Sequence, residues 1–256
     1  MTDNERRHFL GKLVATAGGA LLLGGCDRLN ESDGFKRLLA SADLPTDRVL
    51  HGLTPEDALA QEFTEADLSA VFKANGSINP QTPEYLGLLA DGFASYRLAI
   101  GGLVKTPLSL SLQELRGMRS RTQITRHDCV EGWSCIGKWK GVPLGWLLDR
   151  AGPRPEARYL VFRCADSVYS NEKRYYESIY LGEAYHPQSI LAYEMNDEVL
   201  DVPHGAPLRV RLERKLGYKQ AKYITGIDLV DSLAGIGDGN GGFWEDNSGY
   251  QWHGGI

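Results

Sequence analysis

The stretch Arg126-His127-Asp128-Cys129-Val130-Glu131-Gly132-Trp133-Ser134 brings a thiol, an imidazole and several charges onto one short segment. A thiol on a loop after a strand, flanked by Arg126 and His127 as cations, is placed where thiolate is favoured over thiol. Thiolate is a soft donor, and a single cysteine without partner ligands suits a metal that a cofactor's own sulfurs already hold. Such a cysteine also occurs with no metal role. The chain has four cysteines, Cys26, Cys129, Cys135 and Cys164. With Cys26 set aside an odd number remains, so in an oxidising compartment at least one is free, metal-bound or paired between chains. A Cys129 to Cys135 disulfide stays open as the structural alternative. Structural zinc is disfavoured, because no C-x-x-C or H-x-x-x-H pair exists.

A second segment carries a different chemistry. His204-Gly205-Ala206-Pro207-Leu208-Arg209 is followed by Leu216-Gly217-Tyr218-Lys219 and by Ala221-Lys222-Tyr223-Ile224. Anions are held by arginine forks, lysine point charges and backbone N–H groups at a glycine that permits close approach. Arg209, Lys219 and Gly217 supply one donor of each kind, and Lys222 adds to the field. Strand alternation offers another reading for some of Arg209, Arg211 and Arg214, as outward side chains.

The elements that would position these residues are short and irregularly interleaved. A helix is predicted over Thr64 to Lys73, followed by a polar loop from Ala74 to Pro83. Tyr96 to Ile100, Gly101-Gly102 and Leu103-Val104 read as strand, tight turn, strand. Leu110 to Leu115 begins a helix, with Ser111 and Glu114 forming a capping box. Thr122 to Thr125 is a strand that delivers Cys129 on the loop beyond it. Leu144 to Ala151 is a helix stopped by Gly152-Pro153. Strands are predicted at Arg158 to Arg163, Ile190 to Tyr193, Leu208 to Leu212 and Ile224 to Val230. The Gly-rich tail with Phe243, Trp244, Tyr250 and Trp252 reads as an ordered aromatic strap. Without regular strand–helix alternation or a G-x-G-x-x-G turn, the pattern indicates an α+β or mixed domain and not a dinucleotide fold.

A chain of 256 residues with 42% apolar composition can bury a sizeable core. Its net charge of −5 argues against a nucleic-acid surface, so no nucleic-acid partner is expected. The N-terminus reads as an export signal: Arg6-Arg7, then Phe9-Leu10 and Lys12, then an uncharged run from Leu13 to Gly25. That run is short of the roughly 20 apolar residues a transmembrane helix needs. It resembles a twin-arginine signal, which implies export of an already folded, cofactor-loaded protein. Leu23-Gly24-Gly25-Cys26 resembles a lipobox, so lipid on Cys26 and attachment to a membrane face are expected alongside the alternative of simple cleavage. The organisation expected is signal 1–26, linker or surface arm 27–60 and one oxidoreductase domain 61–256.

Cys129-Val-Glu-Gly-Trp-Ser with Trp139-Lys-Gly-Val-Pro-Leu, and the His204 to Ile224 segment in the same order, resemble the sulfite-oxidase superfamily, nearest the periplasmic methionine sulfoxide reductase branch. The resemblance covers roughly residues 70 to 232. It implies the α+β fold of that superfamily, with mixed sheets and short helices, and a molybdenum–molybdopterin cofactor with Cys129 as metal ligand and catalytic centre. It also implies cofactor contacts from Arg209, Gly217, Tyr218 and Lys219. Asn75 falls where that branch has an asparagine near the metal, whereas Ile78-Asn79 stand in place of Tyr-Glu and His204 in place of an asparagine. Cys164 stands at a cofactor-contacting threonine position, and equally reads as a small buried hydrophobe.

The reaction implied is two-electron oxygen-atom transfer at a small-molecule or protein-bound S-oxide. Electrons are exchanged with a separate membrane haem subunit or cytochrome, since no haem domain fits the remaining length. A sulfite-type oxidase is disfavoured because Val130 to Ser134 contains no cation for a sulfite dianion. A non-catalytic exported lipoprotein with structural cysteines is the third reading. Location in the periplasm, with or without an inner-membrane anchor, follows from the signal.

Overall fold

The computed structural model describes residues 58–168 and 173–256; the signal, Cys26 and nearly all of the arm lie outside the described residues. One five-stranded sheet runs β2 (Leu108–Ser111), β1 (Arg97–Gly102), β10 (Ile224–Val230), β5 (Tyr159–Ser167), β6 (Arg174–Tyr180). The other runs β3 (Arg121–Asp128), β4 (Ser134–Pro143), β7 (Ile190–Met195), β8 (Glu198–Val199), with β9 (Arg209–Arg211) also pairing β7. The helices are α1 (Pro83–Ala90), α2 (Leu112–Gly117), α3 (Leu144–Ala151), α4 (Leu181–Ala184) and α5 (Phe243–Ser248). β1 and β10 pair in parallel and the other strand pairs are antiparallel, which makes the domain α+β as expected.

The main core joins Leu98 and Ile100 of β1, Leu160 and Phe162 of β5 and Ile227 and Leu229 of β10 to α3. In α3 the buried Leu144, Leu147, Leu148 and Ala151 follow the i, i+3, i+4, i+7 spacing of one helix face. Burial of each of its leucines contributes about 1.5–3 kcal/mol before entropy is counted. The helix stops where Gly152 turns left-handed at φ 66° and its N–H donates to the Leu148 carbonyl at 3.0 Å. α2 starts on the expected capping box, with Ser111 accepting from the Glu114 N–H and Glu114 reaching back to the Ser111 N–H.

Three local expectations give way to tertiary pairing. The helix over Thr64 to Lys73 shrinks to a 3₁₀ turn, Glu65–Asp67. Beyond it Ser69 pairs with Ile136 on β4 through both its N–H and its hydroxyl, and Val71 is 78% exposed, so no helical face is there to bury. Leu103-Val104 is not a strand: Val104 makes a single bridge to Pro153, and the partner of β1 is β2. β4, which the pattern did not reveal, carries Gly137 and Gly141, residues that depress strand propensity. At the bulge between β4 and β7 a Cβ on Gly141 would sit 2.1 Å from the Leu191 carbonyl, so the close approach of the strands requires glycine.

The Gly-rich C-terminal segment is ordered: Trp244 stacks on Tyr250, and Trp252 meets Tyr180 edge-on at 4.5 Å. Before the first sheet, Ala60 exchanges two hydrogen bonds with the Gln188 amide, and Glu62 bridges Thr125 on β3.

Candidate functional site

Cys129 stands one residue beyond β3, in a tight loop. Its N–H donates to the Trp133 carbonyl and its own carbonyl accepts from the Gly132 N–H, both at 3.0 Å. Gly132 has φ 84°, a conformation that favours glycine. The thiol is free, as are those of Cys135 and Cys164, so the Cys129 to Cys135 disulfide is not formed.

The electrostatics differ from the expectation of two flanking cations. Strand alternation turns Arg126 outward, where it pairs with Asp128 at 2.9 Å. The same alternation turns His127 inward and buries it completely. Burial first, then Arg211 and Arg209, hold the His127 imidazole well below its ordinary pKa, so it is neutral. Arg211 Nη1 lies 3.0 Å from His127 Nδ1. A guanidinium only donates, so Nδ1 accepts and the ring proton is on Nε2. Burial raises the Cys129 thiol, opposed by the Glu131 N–H and then, more weakly, by Lys73 and the Asn75 amide. The thiol is therefore held in its protonated form, and a coordinating metal would have to displace that proton.

Cys129 opens into a cleft of about 140 Å³ shared with Asn75, Ser77, Asp166, Gly217, Tyr218, Gln220 and Lys222 and rimmed by Val130, Trp244 and Tyr250. Lys222 holds one wall. Its Nζ donates to the carbonyls of Asn75, Ser77 and Pro203 at 2.7, 2.5 and 2.9 Å, which fixes the loop after Phe72 in place. Burial and Arg209 pull Lys222 down to about 7, but three carbonyl acceptors match the three N–H donors of the charged ammonium. His204 braces the same loop, with Nε2 3.0 Å from the Phe72 carbonyl and Nδ1 2.6 Å from Asp201.

Gly217 forms the floor. A Cβ there would lie 2.6 Å from His127 Nε2 and 3.3 Å from Asn75 Nδ2, so two side-chain donors converge where the glycine leaves room. Tyr218 follows, its hydroxyl donating to the Gln251 carbonyl at 2.6 Å.

Several residues singled out in the sequence take other roles. The Lys219 ammonium is not a free phosphate donor: it is buried between Glu177 at 2.5 Å and Glu245 at 2.7 Å. Arg209 is buried, with Nη1 donating to the His204 carbonyl and the guanidinium 4.8 Å over Trp139; its Nε has no protein partner. Arg211 is equally buried, 4.5 Å from the same indole and paired with Glu213 at 2.6 Å, so it is not an outward strand residue. Cys164 packs in the main core, and burial holds its thiol well above the ordinary range, which is the small-hydrophobe role. Ile78 and Asn79 are exposed and do not line the cleft. Conversely, Asp166, Tyr175, Gln220, Trp244 and Tyr250 line it without having been marked. Asp166 escaped notice because β5 was expected to end at Arg163.

A larger cleft of about 600 Å³ lies between α1 and β1, but it contains no thiol. Among the described residues no group of three His, Cys, Asp or Glu side chains could hold a metal alone. The cleft at Cys129 fits a metal that arrives with its own sulfur ligands: one thiol, two convergent donors over a glycine floor, and an unpartnered Asp166 Oδ1 in the lining, with Arg209 close to His127 and Lys222.

An α+β domain with a lone thiol beside such a cradle defines a cofactor-dependent redox protein. The chain belongs to the oxidoreductase molybdopterin-binding domain family, whose model matches residues 87–234. It is a molybdopterin-dependent oxidoreductase, which removes the reading of a non-catalytic lipoprotein. It is 35% identical over 250 residues to an Azospira oryzae protein named as a candidate protein-methionine-sulfoxide reductase subunit, YedZ1, covering 98% of this chain and 87% of that one. It is 31% identical over 238 residues to the protein-methionine-sulfoxide reductase catalytic subunit MsrP of Ralstonia nicotianae, covering 90% and 69%. The sulfane dehydrogenase SoxCD of Paracoccus pantotrophus aligns with a TM-score of 0.49 at 26% identity, over 54% of this chain and 38% of that one.

Proposed function

We propose that this chain is the catalytic part of an exported molybdopterin enzyme that reduces a methionine sulfoxide or related S-oxide, with Cys129 as the protein ligand to molybdenum. The observation that carries it is the thiol of Cys129 facing Asn75 and Gly217 in one cleft. Its relatives' names supply the S-oxide class. When bound, the cofactor supplies two-electron oxygen-atom exchange; the protein supplies orientation, exclusion of water and protons. Asn75 Nδ2 and the His127 Nε2 proton give directional hydrogen bonds at the floor, and the Gly217 backbone lets a ligand approach closely. Lys222 and His204 keep Asn75 in place through the backbone of residues 72–77.

An S-oxide is neutral and a sulfite ion is not; the cations flanking the Cys129 loop are ion-paired, and Lys222 inside the cleft gives its three N–H groups to backbone carbonyls. Arg126 is paired with Asp128, and Lys73 with Glu131 at 3.6 Å. This charge balance favours the neutral substrate over sulfite. Electrons come from a separate redox protein, a membrane haem subunit or a cytochrome, and Cys26 is the place for a lipid anchor on the periplasmic face.

Native protein exported by its own signal is the material for the test. Molybdenum and pterin analysis, a Mo(V) paramagnetic resonance signal, and turnover of methionine sulfoxide by the dithionite-reduced enzyme are expected. Reoxidation by neither methionine sulfoxide nor other S-oxides, with reduction by sulfite instead, would overturn the substrate and direction. Fractionation and acyl labelling of wild type and Cys26→Ser test the location.

A further inference from the structure

Two carboxyl groups line the cleft at Cys129, and they are differently placed. Glu131 is at the mouth, paired with Lys73 and accepting from Trp133 Nε1 at 2.8 Å, and these contacts hold its carboxyl below the usual range. Asp166 lies inside on β5, 3% exposed, and its Oδ1 has no hydrogen-bond partner. An unpartnered buried carboxylate oxygen is costly, whereas a protonated carboxyl carries a proton it can give to a ligand.

Reduction of an S-oxide to a sulfide consumes two electrons and two protons and releases the oxygen as water. Four other titratable groups at the cleft are committed, while Tyr250 packs at its rim against Tyr218 and Trp244, and His127 at the floor is neutral. Tyr175 donates its hydroxyl proton to the Tyr218 carbonyl and Tyr218 donates to Gln251, and burial raises both phenols. Lys222 gives its N–H groups to three carbonyls. Cys129 is the metal ligand of the proposed function.

We propose that Asp166 is the proton donor of this site. Its O–H bond breaks as a new O–H bond forms on the oxygen leaving sulfur; the S–O bond breaks, sulfur takes up the two electrons that the redox partner protein gives up, and a second proton, from solvent, completes the water. Solvent reprotonates the carboxylate through the cleft mouth. This rests on the S-oxide reductase reading. The surroundings suit the role: burial pushes the Asp166 carboxyl up to about 7, with Lys222 and Arg174 pulling the other way. The phenols of Tyr85 and Tyr223 also face it from α1 and the Lys222 segment, each already donating its proton to backbone carbonyls, Tyr85 to Ala206 and Tyr223 to Ser77 or Val202. Cys164, two residues back on β5, is held neutral by burial.

The test uses holoenzyme with viologen as reductant and methionine sulfoxide as substrate. Turnover is followed across about pH 5 to 9 in wild type, Asp166→Asn and Asp166→Glu, with molybdenum content, melting temperature and an infrared titration of protonated carboxyl groups measured alongside. Asp166→Asn is expected to keep its molybdenum and its melting temperature and to lose the carboxyl band near neutral pH. Its kcat should fall by about 10²-fold or more, with loss of the alkaline decline expected of wild type, and Asp166→Glu should recover part of the rate. A kcat and pH profile of Asp166→Asn matching an active wild type overturns the donor role alone, as does an infrared titration showing Asp166 ionised at acid pH. A wild type that holds molybdenum and reduces no S-oxide overturns the functional reading, and the donor role with it.

Discussion

Replacing Lys219 with methionine removes the cation lodged between Glu177 and Glu245 while keeping a side chain of similar length. All three side chains are at most 1% exposed. Glu177 Oε1 and Glu245 Oε2 have no other partner, and a Cβ on Gly242 would meet both, at 2.5 and 2.1 Å. Burial holds Glu177 well above the usual carboxylate range, with Lys219 opposing and Glu245 reinforcing this, so Glu177 is protonated beside the Lys219 ammonium. Without Lys219 one buried negative charge is uncompensated, a loss of about 3–5 kcal/mol. In a domain of this size that lowers Tm by about 6–20 °C. Without the cation that opposes it, burial holds Glu177 of the variant still further above the unfolded value of about 4.3. Its folded state is therefore least penalised at acid pH and loses stability as pH rises, so the gap to wild type widens from about pH 5 to pH 8. Calorimetry at the two pH values, with molybdenum and pterin content measured on the same samples, reads the effect. Unchanged Tm at both pH values with loss of pterin would refute the buried-triad reasoning and return Lys219 to phosphate binding.

Cys129→Ser should abolish turnover and the Mo(V) signal with the circular dichroism spectrum unchanged. Cys135→Ser should leave both intact, since its thiol bonds the Lys73 N–H and the Val71 carbonyl at 3.5 and 3.8 Å and packs on the Phe72–Trp139 cluster, away from the cleft lining. Gly217→Ala pushes a methyl into His127 and Asn75. A stability loss of about 1–3 kcal/mol by denaturant titration, together with reduced pterin content, is expected. Ser111→Ala breaks the α2 capping box and should cost about 0.5–2 kcal/mol in the same titration without altering turnover.

Local signals that depend on neighbours in the chain were legible. The capping box at Ser111, the apolar face of α3 and its glycine stop, and the full extent of β10 lie where spacing put them. Cys129 also falls on the loop after β3, although the strand runs on past the expected Thr125 to Asp128. Motif order in the two segments also carried the family, because the order of residue types is a property of the chain itself.

The charge states were decided by tertiary structure, since a pKa depends on burial and on partners that come from elsewhere in the chain. Lys219 read as a phosphate donor until Glu177 and Glu245, 42 and 26 residues away in sequence, were brought against it. His127 read as a cation until β3 turned it into the core against Arg211. Asp166 carried no motif at all. It gains a place in the cleft because β5 runs on past Arg163 to Ser167, where its side chain faces inward beside Lys222 and across from the segment holding Cys129.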